Sequence, residues 1–175
     1  MPMPISRLLP TSVSRITTAV LVLALAVILG ALAFQHLGGY APCPLCLQQR
    51  YAYYFAIPTL LAGLLAMALG RSTLAAILLA AVAAAFFANA VLAGYHAGAE
   101  WKFWPGPDTC AAGTDALSTG GGNLLKDLET AHPVRCDEAA LRILGLSLAG
   151  WNVLISLVLA MGAAAGALGL RREGG

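Results

Sequence analysis

The chain has 175 residues, of which 59% are hydrophobic and only 10% are charged. Soluble globular domains carry roughly 25% charged residues, so this chain lacks the charge to cover a water-facing surface. Its net charge of +2 is small, and no run of basic residues points to a nucleic-acid partner. The composition indicates a membrane protein, and the length is that of a single membrane domain, residues 1–175.

Four apolar stretches are long enough to cross a lipid bilayer, for which a helix needs about 20 residues. None contains Asp, Glu, Lys or Arg, and the predicted spans cover about residues 16–37, 51–69, 73–95 and 143–170. Because backbone groups cannot stay unpaired in lipid, helix is the expected form. We therefore predict an all-α membrane protein, a four-transmembrane-helix bundle embedded in the lipid bilayer.

The first span has an alternative interpretation as a signal peptide. Arg7 and Arg15 precede it, and Ala31-Leu32-Ala33 resembles a cleavage site. The apolar core of a signal peptide is usually about 7–15 residues long. This stretch is longer, which favours a retained helix.

Small residues predict how the helices pack. Gly162 and Gly166 form a GxxxG pattern in the fourth span, and the third span is rich in alanine. Small side chains allow membrane helices to approach closely, so these faces are expected to lie inside the bundle.

All four cysteines are predicted to share one compartment. Cys43 and Cys46 lie in the first connection, about residues 38–50, and Cys110 and Cys136 lie in the third, about residues 97–142. With four spans, these connections face the same side. The basic residues of the opposite face lie in short segments beside the membrane, where positive charge orients a chain most strongly. We therefore expect cytoplasmic termini and cysteines outside the cytoplasm.

The long third connection is polar and rich in glycine and proline. A short helix is predicted in it from Asn123 to Thr130. A solvated loop and a surface for a partner both fit this connection. We expect two aromatic clusters at the membrane–water interface, namely Trp101, Phe103 and Trp104, and Tyr51, Tyr53 and Tyr54.

Cys43-Pro44-Leu45-Cys46 is a CxxC motif, which is typical of zinc sites and of redox dithiols. Zinc normally takes four Cys or His ligands at paired spacings, and the sequence has no second such pair. We therefore expect no metal site. A redox dithiol needs a thiolate, and a helix N-terminus favours an anion. Arg50, four residues after Cys46, would add a permanent positive charge on the same face.

Two cysteine pairs on one face leave two interpretations of the chemistry. The pair in the third connection is either a structural disulfide, as is common outside the cytoplasm, or part of a relay. In a relay it would take electrons from a soluble thiol protein and exchange with the CxxC pair. The electrons would then pass to a lipid-soluble acceptor, for which a quinone is suitable.

The chain resembles the DsbB family of bacterial inner-membrane proteins, which pass electrons from DsbA to quinone. The similar segments cover nearly the whole chain: Phe34-Gln35-His36, Pro42 to Cys46, Gln48-Gln49-Arg50, Gly94-Tyr95-His96, Trp104-Pro105, Pro133 to Cys136, and Leu146 to Trp151. One difference is Gln49, where some relatives carry Glu.

The resemblance implies a role for each matching position. Cys43 and Cys46 would form the disulfide reoxidised by quinone, with Cys46 in contact with the quinone ring and Arg50 supporting that contact. Cys110 would form the mixed disulfide with DsbA, Cys136 would be its partner, and His96 would lie near the quinone. The expected cofactor is a quinone from the membrane pool, ubiquinone ahead of menaquinone. The expected location is the bacterial inner membrane, with the cysteines in the periplasm.

The resemblance thus implies a thiol–disulfide oxidoreductase that reoxidises a periplasmic DsbA-type protein, a protein-disulfide:quinone oxidoreductase. One alternative is a quinone reductase similar to vitamin K epoxide reductase, whose CxxC falls late in the bundle. Another is a membrane scaffold with structural disulfides, which would not explain Arg50 beside the CxxC.

Overall fold

The structure is a computed structural model that describes residues 12–107 and 136–173. Its helices are α1 (Ser12–His36), α2 (Pro44–Ala68), α3 (Ser72–Glu100) and α4 (Leu148–Glu173). Two short antiparallel strands, β1 (Arg142–Ile143) and β2 (Leu146–Ser147), precede α4. All four helices are long and apolar enough to cross a membrane. The predicted four-helix membrane bundle is confirmed; Cys110 and the predicted helix from Asn123 to Thr130 lie outside the described residues.

The helices form a closed arrangement in which α1 and α3 each pack against both α2 and α4. Their core is built mainly from large side chains that are fully buried: Phe86, Leu60, Leu79, Leu159 and Val82. Large apolar side chains on the outside, such as Leu29, Phe87 and Val91, are about 60% exposed, as helices facing lipid require.

The GxxxG pattern of α4 lies inside the bundle, as predicted. A Cβ atom at Gly162 would lie 2.7 Å from Val20 of α1, and one at Gly166 would lie 2.5 Å from Leu79 of α3. Both glycines therefore let α4 approach its neighbours more closely than any other residue would.

A tight turn joins α2 to α3. Gly70 has a φ of +71°, a left-handed conformation that glycine adopts without strain. The amides of Gly70 and Arg71 bond the carbonyls of Met67 and Ala66, which closes the end of α2.

Three helix boundaries differ from the prediction. Helix α2 begins at Pro44 rather than near Tyr51, so Cys46 lies in its first turn rather than in a loop. Helix α3 continues to Glu100 rather than ending near Tyr95. Residues near Ile143 form the β1–β2 hairpin, and α4 begins only at Leu148. Apolar composition alone cannot distinguish a short hairpin from the start of a span.

The segment after α3 connects this helix to the chain around Cys136. Trp104 lies over Gly98, where any side chain would collide with the indole ring, and its Nε1 donates to the carbonyl of Tyr95. Lys102 then forms an ion pair with Asp137 at 2.7 Å. Together these contacts hold the two segments side by side at one end of the bundle.

Candidate active site at the cysteine end of the bundle

The CxxC motif forms the N-terminus of α2. Cys43 is the N-cap residue, with extended backbone, and Pro44 occupies the first turn, where its missing N–H costs nothing. The Sγ atom of Cys43 accepts a hydrogen bond from the backbone amide of Cys46 at 3.1 Å. The two sulfur atoms lie 2.6 Å apart, because a spacing of three residues spans about one helical turn.

The two sulfurs of the pair have different surroundings. Cys43 is only 3% exposed and packs with Leu45 and Cys136, whereas Cys46 is half-buried. The hydrogen bond to Cys46, together with burial, raises the pKa of the Cys43 thiol above its ordinary value. Cys43 is therefore the member of the pair that keeps its proton, while Cys46 lies in the first turn of α2, where the helix dipole favours an anion.

Cys136 lies on the Cys43 side of the site. It is fully buried and disulfide-bonded, and it belongs to the same buried cluster as Cys43 and Leu45. The structure therefore brings together three of the four predicted redox cysteines, Cys43, Cys46 and Cys136. The fourth, Cys110, is outside the described residues, and its pairing with Cys136 remains a prediction.

Cys46 lies on the wall of a cavity of about 440 Å³ formed by α1, α2, the hairpin and α4, with His96 of α3 also in the lining. The lining is mostly apolar and includes Phe34, Ile143 and Trp151. A few polar side chains enter it: Gln35, Gln49, Arg50, His96 and Asn152. Pockets for small molecules typically have about 300–1,000 Å³ of volume, apolar walls and a few oriented polar groups.

Arg50 is on the cavity wall with Cys46, as the i+4 spacing predicts. Its Nη1 donates a hydrogen bond to Oε1 of Gln35 on α1, at 2.5 Å. This bond fixes the guanidinium at the cavity and leaves its other N–H groups to bind an acceptor.

His96 is buried and connects both sides of the site. Its Nε2 lies 3.6 Å from Sγ of Cys43, and its Nδ1 lies 2.9 Å from the amide nitrogen of Gln49. The ring also hydrogen-bonds the backbone of Cys136. A ring nitrogen and the two CxxC sulfurs all lie within 4.8 Å of one another. The prediction placed His96 near the quinone; the structure places it on the cavity wall and also against Cys43.

Four further polar residues surround His96 and the cavity, and the sequence prediction gave them no role in the site. Glu100 lies one turn after His96, with Oε1 3.7 Å from Nε2, and is 7% exposed. Asn152 bonds Gln49, and Tyr53 bonds Asn152, each at 2.6 Å. Gln35 bonds Arg50.

One of these residues corrects a prediction. Tyr53 is 3% exposed and packs edge-on against Phe86, so its predicted interfacial position is wrong. Tyr51 and Tyr54, in contrast, are exposed. Asn152 could have been identified from the sequence, because it is a polar residue within an apolar span. Such residues are costly in lipid and usually functional.

The family model described as "Disulfide bond formation protein DsbB" matches residues 14–166. The chain belongs to the DsbB family. The matched segment contains the whole CxxC pair, His96 and Cys136, so the family assignment and the site described above concern the same part of the chain.

Among curated proteins, this DsbB-family chain is similar to "Uncharacterized protein RP370" of Rickettsia prowazekii (strain Madrid E). The two are 26% identical over 121 residues, which cover 69% of this chain and 67% of that protein. No solved structure matches the chain.

Membership of the DsbB family establishes the general role of the protein. It is a multi-pass membrane protein of disulfide bond formation and has the role of a disulfide oxidoreductase. Proteins of this family use quinones and act with a DsbA partner.

Proposed function

We propose that this DsbB-family protein reoxidises a periplasmic DsbA-type protein and passes the electrons to membrane quinone. One observation carries the proposal: the two sulfurs of the CxxC pair serve two different surfaces. Cys43 is buried against Cys136, whereas Cys46 lines the apolar cavity together with Arg50. A pair that only stabilised the fold would have no reason to present one sulfur to a second cysteine and the other to a cavity.

Electrons would enter through the third connection. A thiolate of the DsbA-type protein attacks Cys110 of a Cys110–Cys136 disulfide, forms a mixed disulfide and releases the Cys136 thiolate. The Cys136 thiolate attacks Cys43 of the oxidised CxxC pair, and Cys46 leaves as a thiolate. The second thiol of the DsbA-type protein then attacks the mixed disulfide and frees Cys110. Attack of Cys110 on Cys136 restores that disulfide and leaves both CxxC cysteines reduced.

The cavity residues fit a quinone, which has a flat apolar ring and two carbonyl groups that accept hydrogen bonds. Apolar side chains such as Phe34 and Ile155 would contact the ring, and Arg50 and Asn152 have N–H groups for the carbonyls. When bound, quinone would accept two electrons and two protons as the Cys43–Cys46 disulfide forms again. The helix N-terminus and Arg50 would hold Cys46 as the thiolate that donates this electron pair.

The same arrangement leads us to propose the orientation and the remaining site assignments. Cys43, Cys46, Cys110, Cys136 and Arg50 are the proposed catalytic residues, and Cys46, Arg50 and His96 the proposed quinone-binding residues. The termini are proposed to be cytoplasmic and the cysteine end of the bundle periplasmic, where a DsbA-type protein would reach Cys110.

The test is quinone reduction by the purified protein in lipid nanodiscs, with a reduced DsbA-type protein as electron donor. We expect steady turnover by the wild type and none by Cys46→Ser, with ubiquinone and menaquinone assayed in parallel. The melting curve of the variant shows whether it is folded. Absence of turnover with either quinone, or full turnover by a folded Cys46→Ser, would refute the proposal.

A further inference from the structure

Gln49 lies behind the His96 ring, on the side away from Cys43. Both residues are buried, at 5% and 3% exposure, so water does not compete for their polar groups. The amide nitrogen of Gln49 lies 2.9 Å from Nδ1 of His96. An amide NH₂ group can only donate hydrogen bonds. Nδ1 therefore accepts, and the proton of a neutral ring resides on Nε2.

A chain of hydrogen bonds holds Gln49 in this orientation. Nδ2 of Asn152 donates to the carbonyl oxygen of Gln49 at 2.6 Å, and the hydroxyl of Tyr53 donates to the side-chain oxygen of Asn152 at 2.6 Å. With its oxygen engaged by Asn152, Gln49 presents its NH₂ group to His96. This series of hydrogen bonds runs from Tyr53 of α2 through Asn152 of α4 to Gln49 and ends at the ring.

The opposite side of the ring favours the same position of the proton. Nε2 faces Sγ of Cys43 at 3.6 Å and Oε1 of Glu100 at 3.7 Å. A carboxylate can only accept a hydrogen bond, and the Oε2 atom of Glu100 has no hydrogen-bond partner among the described residues. An N–H at Nε2 therefore has the Cys43 sulfur within hydrogen-bond distance, and the Glu100 oxygen lies nearby at 3.7 Å.

We propose that Gln49 is a positioning residue that holds His96 as the neutral tautomer with its N–H directed at the sulfur of Cys43. A second proton on Nδ1 would face the NH₂ group of Gln49, so Gln49 opposes formation of the imidazolium ion. This inference rests on the proposed exchange at Cys43. When Cys110 attacks the Cys136–Cys43 disulfide, the Cys110–Cys136 bond forms and the electron pair of the broken bond goes to Cys43. The N–H of His96 stabilises the departing thiolate until Cys43 takes up a proton, in keeping with the raised pKa of this thiol.

The charged and titratable groups around the ring come from three elements and from the segment at Cys136, whose backbone hydrogen-bonds the ring. Cys43 and Cys46 face it from the start of α2, and Glu100 from its own helix. Arg142 of β1 acts on the Glu100 carboxylate from the hairpin. Gln49 presents its NH₂ group to Nδ1 at 2.9 Å, and this contact bears directly on the charge of the ring.

Replacing Gln49 by a glutamate is expected to reverse its effect. In the Gln49→Glu variant, the new carboxylate accepts a hydrogen bond from Nδ1–H, and His96 then lies between this carboxylate and that of Glu100. Both ring nitrogens are expected to carry protons at neutral pH. Gln48→Glu is the matched control, because Gln48 lies in the same helical turn but is exposed.

The experiment is ¹⁵N NMR of the histidine rings in the full-length, reduced protein in nanodiscs. The chain has three histidines, and His96→Asn identifies the signal of interest. We expect one protonated nitrogen, Nε2, in the wild type and in Gln48→Glu, and two in Gln49→Glu. A wild-type ring with its proton on Nδ1 overturns the inference, as does a Gln49→Glu ring unchanged from the wild type.

A second readout separates this role from a merely structural one. Gln49→Met removes the NH₂ donor without adding a charge, and we expect disulfide exchange between Cys43 and Cys136 to slow by about tenfold to a hundredfold. The pH profile of exchange in Gln49→Glu is expected to shift, whereas that of Gln48→Glu is not. Unchanged exchange in Gln49→Met overturns the inference. The ring signals do not depend on turnover, so the two proposals can fail separately. If the wild type reduces quinone but carries the His96 proton on Nδ1, this inference is wrong and the proposed function stands.

Discussion

The Sγ atom of Cys43 lies 3.6 Å from Nε2 of His96, a residue 53 positions later in the chain. This contact joins the N-cap of α2 to the last turns of α3. It fixes the buried sulfur of the CxxC pair on two helices rather than on a loop, and the same ring bonds the backbone of Cys136. The site thus holds Cys136 close to the CxxC pair.

The cluster of Cys43 and Cys136 predicts which disulfide forms between the two connections. In a Cys46→Ser variant, Cys43 has lost its vicinal partner, and its thiolate should attack Cys136 of the Cys110–Cys136 disulfide, so that a Cys43–Cys136 disulfide forms and Cys110 is released as the thiol. Peptide mapping by mass spectrometry without reductant would detect it. The matched variant is Cys43→Ser, in which Cys46 faces the cavity and should form little disulfide with Cys136. Equal amounts of the two products would contradict the arrangement.

Replacing Arg50 should lower the rate of quinone reduction more than it lowers the stability of the fold. Arg50→Ala removes the positive charge and the donors beside Cys46, and a hydrogen bond to a charged group contributes about 1.5–3 kcal/mol. We expect kcat/KM for quinone to fall by about 10- to 100-fold. Steady-state kinetics at several quinone concentrations measure this change.

The control for Arg50 is Arg71→Ala, which removes the same charge from the exposed α2–α3 turn at the opposite end of the bundle. Its kcat/KM should equal that of the wild type. Arg50→Lys should recover only part of the activity, because lysine keeps the charge but not the planar set of donors. Full activity in Arg50→Ala would show that Arg50 only anchors the helix.

The raised pKa of Cys43 predicts how the reduced protein responds to pH. Its thiol stays protonated above the ordinary thiol value of 9.0, because the hydrogen bond to Cys46 and burial disfavour the Cys43 thiolate. In a Cys110→Ser, Cys136→Ser variant, iodoacetamide should therefore modify Cys46 first and Cys43 only at strongly alkaline pH. Mass spectrometry of each peptide over a range of pH gives the two rates.

The same shift has a consequence for stability, with a definite sign. A folded-state pKa above the unfolded value stabilises the protein below the unfolded value, and this contribution is lost as pH rises. The reduced protein should lose stability as pH rises above about 9, toward the folded-state pKa of Cys43. The oxidised protein, whose Cys43–Cys46 disulfide does not titrate, should lose less. A Cys43 as reactive as Cys46 at neutral pH would contradict both expectations.

Hydropathy predicted the number of spans but not the start of α2. Gln48, Gln49 and Arg50 lower the apolar character of its first turns, so the predicted span began near Tyr51. In the structure this helix begins at Pro44, because a proline in the first turn and the N-cap residue Cys43 determine where the helix starts. The shift matters for the site, since it places Cys46, Gln49 and Arg50 on one rigid helix.

The cysteines and Arg50 were identifiable from local spacing, whereas the network around His96 was not. Gln49 meets His96 across 47 residues, and Asn152 meets Gln49 across 103. Contacts at such separations depend on how helices pack, which no short motif specifies. For Tyr53 the sequence was misleading. It lies beside two other tyrosines at the end of a predicted span, which indicated a position at the membrane interface, but its side chain is buried in the core.

The packing of α4 predicts the effect of a small substitution far from the site. A methyl group at Gly166 would lie 2.5 Å from Cδ2 of Leu79, a side chain that is fully buried in the core. Overpacking of this kind costs about 1–3 kcal/mol. We therefore expect Gly166→Ala to lower the melting temperature in detergent by about 2–10 °C.

Gly94→Ala is the control, because a Cβ there meets nothing within 4 Å, and alanine is the better helix former. Its melting temperature should equal or exceed that of the wild type at the same scan rate. If Gly166→Ala were as stable as Gly94→Ala, α4 would not pack against α3 as closely as the structure indicates.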